Sequence, residues 1–463
     1  VSVVVVGGGP AGMNAAVQAA RAGAEVVLVD GAEQLGGQFH RQQPSEFAAR
    51  RPGRIQRGWR TFRALRDEIL THPRIRYRPR SQVWALEGDQ VHVQSGPADA
   101  PERTPLVLRA DALVLATGAH DRVLPFPGWD LPGVYSAGAA QAMAKGQRIA
   151  VGRRAVVAGT GPFLLPVAES LLDVGAEVRA VLEAGNPLAW LRHARAAQFH
   201  KLGELAGYAA RFAGRVPYRI RTAVVAAHGD ERVREVEVAD VDGNWEVIAG
   251  SERRIETDAL CVGHGFVPRL ELALSARCRL VDGFVAVDAA QRTSTPGVFA
   301  AGELTGIGGA DLAAAEGAVA GSAAAVHVGA ATWDDVEPQV RRALREVRSG
   351  REFARALAAA HPIGSGWPRW LTPDTTICRC EEVPYRELEA AVRQRGARSV
   401  RSLKLLCRVG LGHCQGRICG RTATELAEEL IGEPLPDRDT TSRRPIATPI
   451  RLADLARAPK ECR

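Results

Sequence analysis

The chain has 463 residues, 46% of them hydrophobic and 24% charged, with a formal net charge of +8. That is enough for two or three domains with a large core. It holds no uncharged apolar run of about 18 residues, the length a membrane span needs, and its arginines are interleaved with acids rather than gathered into the stripe a nucleic-acid binder shows.

Val3–Val6 reads as a buried strand. Gly7-Gly8-Gly9-Pro10-Ala11-Gly12 follows, then an Ala-rich helix to Arg21 and a second buried strand ending at Asp30. Gly7, Gly9 and Gly12 fit the G-x-G-x-x-G dinucleotide pattern. Gly7 makes the tight turn, Gly9 admits a pyrophosphate, and Gly12 lets the helix pack close to the strand. Pro10 and Ala11 open the helix, whose N-terminal N–H groups and positive dipole end face the phosphates. Asp30 stands where a carboxylate accepts from a ribose diol. Gly36, Gly37 and Gln38 form a loop able to cross close over the cofactor. No Cys-x4-Cys pair follows, so disulfide-reductase chemistry is not expected.

Residues 46–70 read as helix, and residues 75–115 as short strands with turns at Gly88-Asp89 and Gly96-Pro97. Leu113–Ala116 is another buried strand, and Thr117 and Gly118 at its end should lie beside the cofactor. Ala155–Pro162 opens a second strand–turn–helix unit around Gly159 and Gly161; its next strand ends at Glu183. The third glycine position is Leu164, which should push the helix outward or shift the turn. Glu183 favours a free 2′-hydroxyl, hence NAD(H) or another adenine nucleotide rather than NADP. Val298–Ala301 ends in Gly302-Glu303, where the acid can hold a flavin's ribityl chain.

Five of the eight cysteines fall between Cys378 and Cys419, which argues for a metal or cluster in a reducing compartment such as the cytoplasm, not for disulfides. Cys378 and Cys380 form C-x-C; after thirty-three residues Cys414 and Cys419 form C-x4-C. Two thiolate pairs suit a [2Fe–2S] cluster. Zinc is the alternative, although structural zinc sites favour C-x2–4-C pairs. Arg379 and Arg417, with N–H groups of the glycine-rich loop 410–420, should raise the cluster's potential. Cys407 reads as core and Cys462 as a spare thiol.

Four stretches carry a family resemblance: Ala116-Thr117-Gly118-Ala119-His120-Asp121-Arg122 running to Pro125-Phe126-Pro127-Gly128-Trp129, then Leu131-Pro132-Gly133-Val134, then Cys378-Arg379-Cys380-Glu381-Glu382-Val383, then Gly412-His413-Cys414-Gln415-Gly416-Arg417-Ile418-Cys419. The chain resembles the α (A) subunits of heteromeric FAD-dependent amino-acid and opine dehydrogenases. That family includes the opine oxidase A subunit, the flavin subunit of hydrogen cyanide synthase and proline or hydroxyproline dehydrogenase α subunits. The resemblance implies an α/β fold of two glutathione-reductase-like Rossmann-type domains plus a small α-helical [2Fe–2S] domain like bacterioferritin-associated ferredoxin. The expected boundaries are 1–120 with 256–330 for FAD, 121–255 for the NAD(P)-binding-like domain, 331–371 as a charged helical linker, 372–432 for the cluster, and 433–463 as tail. It further implies a partner β subunit, which is a flavoprotein resembling amino-acid oxidases. An FMN where the two meet and a small ferredoxin-like γ subunit are implied for some members, and peripheral contact with a membrane is left open. No acid–base pair stands out for substrate oxidation, so no catalytic residue is assigned. Two other readings remain: a stand-alone NADH-dependent flavin/iron–sulfur reductase, and a non-catalytic scaffold with structural cofactors.

Overall fold

A computed structural model describes residues 2–196, 199–438, 446–456 and 460–461. Cys462 lies outside the described residues. The chain divides into two compact units, one made of residues 1–120, 268–354 and 442–463, the other of 121–267 and 355–441.

In the first unit five parallel strands run in the order Val298–Ala300, Ala112–Leu115, Ser2–Val6, Glu25–Val29, Ile75–Arg78. The valine run of Ser2–Val6 is central and buried on both faces, as β-branched side chains in a covered parallel sheet should be. The helix Pro10–Arg21 packs against the helix Ala310–His327 at backbone distance. A Cβ on Gly317 would lie 2.0 Å from the Ala11 carbonyl oxygen, and one on Gly321 2.1 Å from that of Ala15. An antiparallel sheet, Ser81–Glu87, Gln90–Ser95 and Thr104–Arg109, adjoins this core, and Lys460–Glu461 pairs parallel to its last strand.

The second unit repeats the plan. Its parallel order is Tyr218–Ile220, Glu177–Glu183, Arg154–Gly159, Ala259–Gly263, Val134–Ser136, with an antiparallel three-stranded sheet spanning residues 222–256. It also carries the hairpin Thr376–Cys378/Val383–Pro384 and the helices Tyr385–Arg393, Val400–Cys407 and Gly420–Ile431. These helices bury Leu388, Val392, Leu403 and Leu426 in one cluster with Trp245 and Trp370. Ser399 starts the middle helix through a capping box with Ser402.

One local expectation changes. Within 46–70 only Trp59–Thr71 is α-helical, because Pro52 sets a separate short turn and Gly58, at φ +65°, breaks the chain before Trp59. The charged 331–371 stretch is helical as expected: its helix Trp333–Ala360 is 28 residues long, and Ala343 and Val347 pack on Leu312, Ala315 and Val319. Its charges belong to the outer face of that helix. Among the described residues no helix is long and apolar enough to cross a membrane.

Candidate cofactor sites

The first glycine turn is built by exclusion of side chains. Gly7 has φ +113°, and a Cβ there would lie 2.2 Å from the Ala116 carbonyl oxygen. A Cβ on Gly12 would fall 1.8 Å from the Gly7 oxygen. Gly9 is the helix N-cap, with Pro10 and Ala11 in the first turn. Gly36 (φ +118°) donates its N–H to the Gly8 oxygen at 2.8 Å, and Gly37 lies so close to Gly9 that its Cβ would come within 2.8 Å of the Gly9 Cα. The result is a side-chain-free cradle at a helix N-terminus, which fits the phosphates of a dinucleotide.

Asp30 accepts from the Ala32 N–H at 3.0 Å and from the Gly8 N–H; burial raises its pKa, opposed by these bonds and by the charge of Arg269. Gln38 accepts from Arg41. The Thr117 hydroxyl donates to the Arg269 carbonyl at 2.9 Å, while the Gly118 carbonyl accepts the Arg269 N–H at 2.9 Å. These two residues therefore hold the returning chain in place. Arg41 and Arg269 bring positive charge to this cradle, and neither carries a motif that would reveal it in sequence.

Gly302, at φ +78°, donates to Glu316 at 2.9 Å. Glu316 also accepts from the Thr305 hydroxyl at 2.7 Å and from Arg351 at 3.0 Å, and it is 1% exposed. No motif marks Glu316, although a lone acid in the Ala/Gly-rich run 313–325 needs a partner if buried. The Glu303 carboxylate accepts the Gly309 N–H at 2.9 Å, across the start of the helix Ala310–His327. Burial, with the nearby Glu316 charge adding to it, pushes its pKa up to about 7 despite the bonds from Gly309 and Gly308. Because the folded pKa is raised, this group's contribution to stability is full below its unfolded pKa near 4.5 and is lost as pH rises through about 7. Flavin-free protein should therefore melt higher at pH 5 than at pH 8 on account of this group. The gain is about 1.4 kcal/mol for every tenfold rise in proton affinity on folding. In Glu303→Gln that part of the slope should vanish; thermal melts across the window check it.

In the second unit Gly159, at φ +140°, approaches the Gly263 oxygen so closely that a Cβ would lie 1.8 Å away. The helix begins at Leu164, three residues past Gly161, whereas the first begins at Pro10, directly after Gly9. Leu164 cannot replace a glycine against the strand, so the turn is lengthened and shifted as expected. Glu183 is 1% exposed, and its two oxygens accept the N–H groups of Gly161 and Gly185, each at 2.8 Å. His361 lies 3.7 Å from the same carboxylate and accepts from the Trp190 indole N–H at 3.0 Å.

The four cysteines of the C-terminal motifs come together as two hydrogen-bonded pairs, Cys378 with Cys419 and Cys380 with Cys414. The Cys419 thiol donates to Cys378, which holds Cys378 down to about 5 and pushes Cys419 up. Cys378 also accepts from the N–H groups of Gly410, Glu381 and Cys380, and Cys380 from that of Cys414. Backbone donors aimed at sulfur stabilise thiolates. Gly412 is needed for closure, since a Cβ there would fall 2.2 Å from the Cys380 Cβ. Among the described residues no three His, Cys, Asp or Glu side chains gather as one metal ion would require. Two facing pairs of thiols with N–H donors fit a two-iron cluster better than a single zinc.

Arg417 donates to the Cys414 carbonyl at 3.2 Å, and Arg379 lies over the ring of Trp129, 5.3 Å from its centre. Cys407 donates to the Leu403 carbonyl within its own helix, as a core thiol does.

Residues 1–320 match the pyridine nucleotide-disulphide oxidoreductase family and residues 376–429 the BFD-like [2Fe-2S] binding domain. The chain belongs to that oxidoreductase family, as an FAD-dependent member carrying a C-terminal [2Fe–2S] domain. Within it, the chain is 32% identical to the opine oxidase A subunit of Rhizobium meliloti over 482 residues, covering 100% of this chain and 88% of that one. It is 32% identical to the HcnB subunit of hydrogen cyanide synthase from Pseudomonas protegens over 439 residues, covering 93% and 92%. The sarcosine oxidase α subunit of Corynebacterium sp. (strain P-1) is 28% identical over 98% of this chain, which spans 45% of that longer protein. The crystal structure of L-proline dehydrogenase from P. horikoshii shares the fold, with a TM-score of 0.66 at 19% identity over 99% of this chain and 79% of that one.

Proposed function

We propose that this chain is the electron-transferring flavin and iron–sulfur subunit of a heteromeric amino-acid or opine dehydrogenase. A partner β subunit, itself a flavoprotein, oxidises the substrate; this chain takes the electrons and passes them on. FAD is assigned to Gly7, Gly9, Pro10, Ala11, Gly12, Asp30, Gly36, Gly37, Gln38, Thr117, Gly118, Gly302 and Glu303, with Thr117 and Gly118 acting through the backbone they hold. The cluster is assigned to Cys378, Cys380, Cys414 and Cys419. When bound, the flavin converts two-electron chemistry to the one-electron steps a cluster accepts. The protein's own part is to set N–H donors and charges around each group.

The observation that carries this reading is that two thiol pairs and a side-chain-free dinucleotide turn occur on one chain. The curated relatives that cover 93–100% of this chain are named as subunits, which supports a partner. The substrate class, from opines to proline, hydroxyproline and glycine, belongs to the partner's pocket.

The second reading, an NADH-dependent reductase with a nucleotide held at Gly159, Gly161 and Glu183, is supported by the Glu183 carboxylate, which accepts the N–H groups of Gly161 and Gly185 as Asp30 accepts those of Gly8 and Ala32. Mixing the purified chain anaerobically with NADH and a dye acceptor should give only background reduction, while supplying the partner flavoprotein with its amino-acid substrate should give turnover. Fast NADH turnover by the isolated chain would reverse the assignment.

A further inference from the structure

The stretch Pro125-Phe126-Pro127-Gly128-Trp129-Asp130 has no part in the function proposed above, yet it is tied down at both ends. On one side the Ala227 N–H donates to the Pro127 oxygen at 2.8 Å. Gly128, at φ +79°, fits because a Cβ there would lie 2.1 Å from the Ala227 oxygen. Phe126 and Trp129 are buried. On the other side everything points at the strand Thr376–Cys378. The Trp129 indole N–H donates to the Thr376 carbonyl at 2.5 Å, and the Asp130 carboxylate accepts the Thr376 hydroxyl at 2.6 Å. The Arg379 guanidinium, from the residue between Cys378 and Cys380, covers the Trp129 ring at 5.3 Å from its centre.

Arg379 is otherwise an exposed side chain, free to extend into water where its charge would be screened. A cation held over an indole face stays within the loop that carries the thiolates. A fixed positive charge there favours the more negative, reduced state of a cluster.

We propose that Trp129 is a positioning residue for the cluster: its ring holds the Arg379 guanidinium beside the Cys378–Cys380 loop and so raises the cluster's reduction potential. This rests on the cluster reading of the four cysteines. It goes beyond it by naming a residue more than two hundred positions away that tunes the centre through Arg379.

The test is a double-mutant cycle on the full-length holoprotein, with the midpoint potential of the cluster read by redox titration and electron paramagnetic resonance. Trp129→Leu and Arg379→Gln should each lower the potential by a similar amount, and the double variant should fall no further than either. Additive shifts, or an unchanged potential in Trp129→Leu beside a lowered one in Arg379→Gln, would overturn the proposal. Should Trp129→Leu lose the cluster, Trp129→Phe decides. It keeps a ring face without the N–H, so its potential should stay near that of the wild type while Arg379→Gln falls. A Phe variant that drops as far as Arg379→Gln contradicts the ring as the operative contact. Wild-type protein with no two-iron signal would sink the cluster reading itself, a different failure from an additive cycle.

Discussion

Cys414→Ser is expected to abolish the two-iron spectrum and to bring turnover of the assembled complex down to background. The Cys380–Cys414 pair supplies two of the four sulfurs, and Cys380 takes a backbone bond from Cys414 as well. An alkoxide forms far less readily than a thiolate and is a harder donor, so it does not replace the missing sulfur for iron. The helices around the site should survive, because their core of Leu388, Leu403 and Leu426 is independent of that side chain. Flavin absorbance should also persist. The experiment therefore needs three readings on one sample: flavin content, iron content, and substrate-driven reduction of an acceptor by the complex. If the variant has lost its iron and the complex still turns over at full rate, the cluster is structural and the scaffold reading is correct.

Gly9→Ala is expected to separate flavin binding from folding. Gly9 has φ −80°, open to any residue, and the nearest atom to an added Cβ is the Gly37 Cα at 3.9 Å. The flavin-free protein should then melt within a degree or two of wild type, since compatible Gly→Ala changes shift stability by only about 0.4–1 kcal/mol. The methyl group would stand where a pyrophosphate must approach the backbone. Loss of flavin affinity by about tenfold or more, roughly 1.4 kcal/mol, is expected. Gly12→Ala should behave differently, because its Cβ would fall 1.8 Å from the Gly7 oxygen and Gly7 is itself pinned against Ala116. Overpacking of that kind costs about 1–3 kcal/mol, so this variant should lose both stability and flavin. Equal flavin binding in Gly9→Ala and wild type, measured by titration of the apoprotein, would place the cofactor elsewhere.

Much of this is readable in the sequence, and the reason is locality. The valine run, the three glycines and Asp30 lie within thirty residues, so one strand–turn–helix–strand unit shows in the text. The second copy is visible for the same reason, and Leu164 in place of glycine correctly announces a displaced helix start. The cysteine motifs are readable because ligand spacing is local even when the pairs are far apart.

What stays hidden depends on contacts between distant segments. Glu316 and Arg351 are thirty-five residues apart, on different helices. Glu303 can be read as a ribityl ligand, while the bond its carboxylate takes from the Gly309 N–H is settled by where the next helix begins. The charges of 331–371 suggest a linker, because the apolar face with Ala343 and Val347 is thin and alanine-rich. Arg379 and Arg417 are expected beside the cluster loops from their neighbours in sequence, but the contacts that fix them, the Trp129 ring and the Cys414 carbonyl, show only in the fold. Trp129 can be noticed as part of a motif, while its partner Thr376 lies 247 residues onward.

The most direct test is to count cofactors on the purified chain and then reduce it in the absence of oxygen. One FAD and two irons per polypeptide are predicted, with the flavin bleaching and a paramagnetic signal from the reduced two-iron centre appearing in the same sample. A colourless protein, or one with flavin whose only metal is zinc, would contradict it.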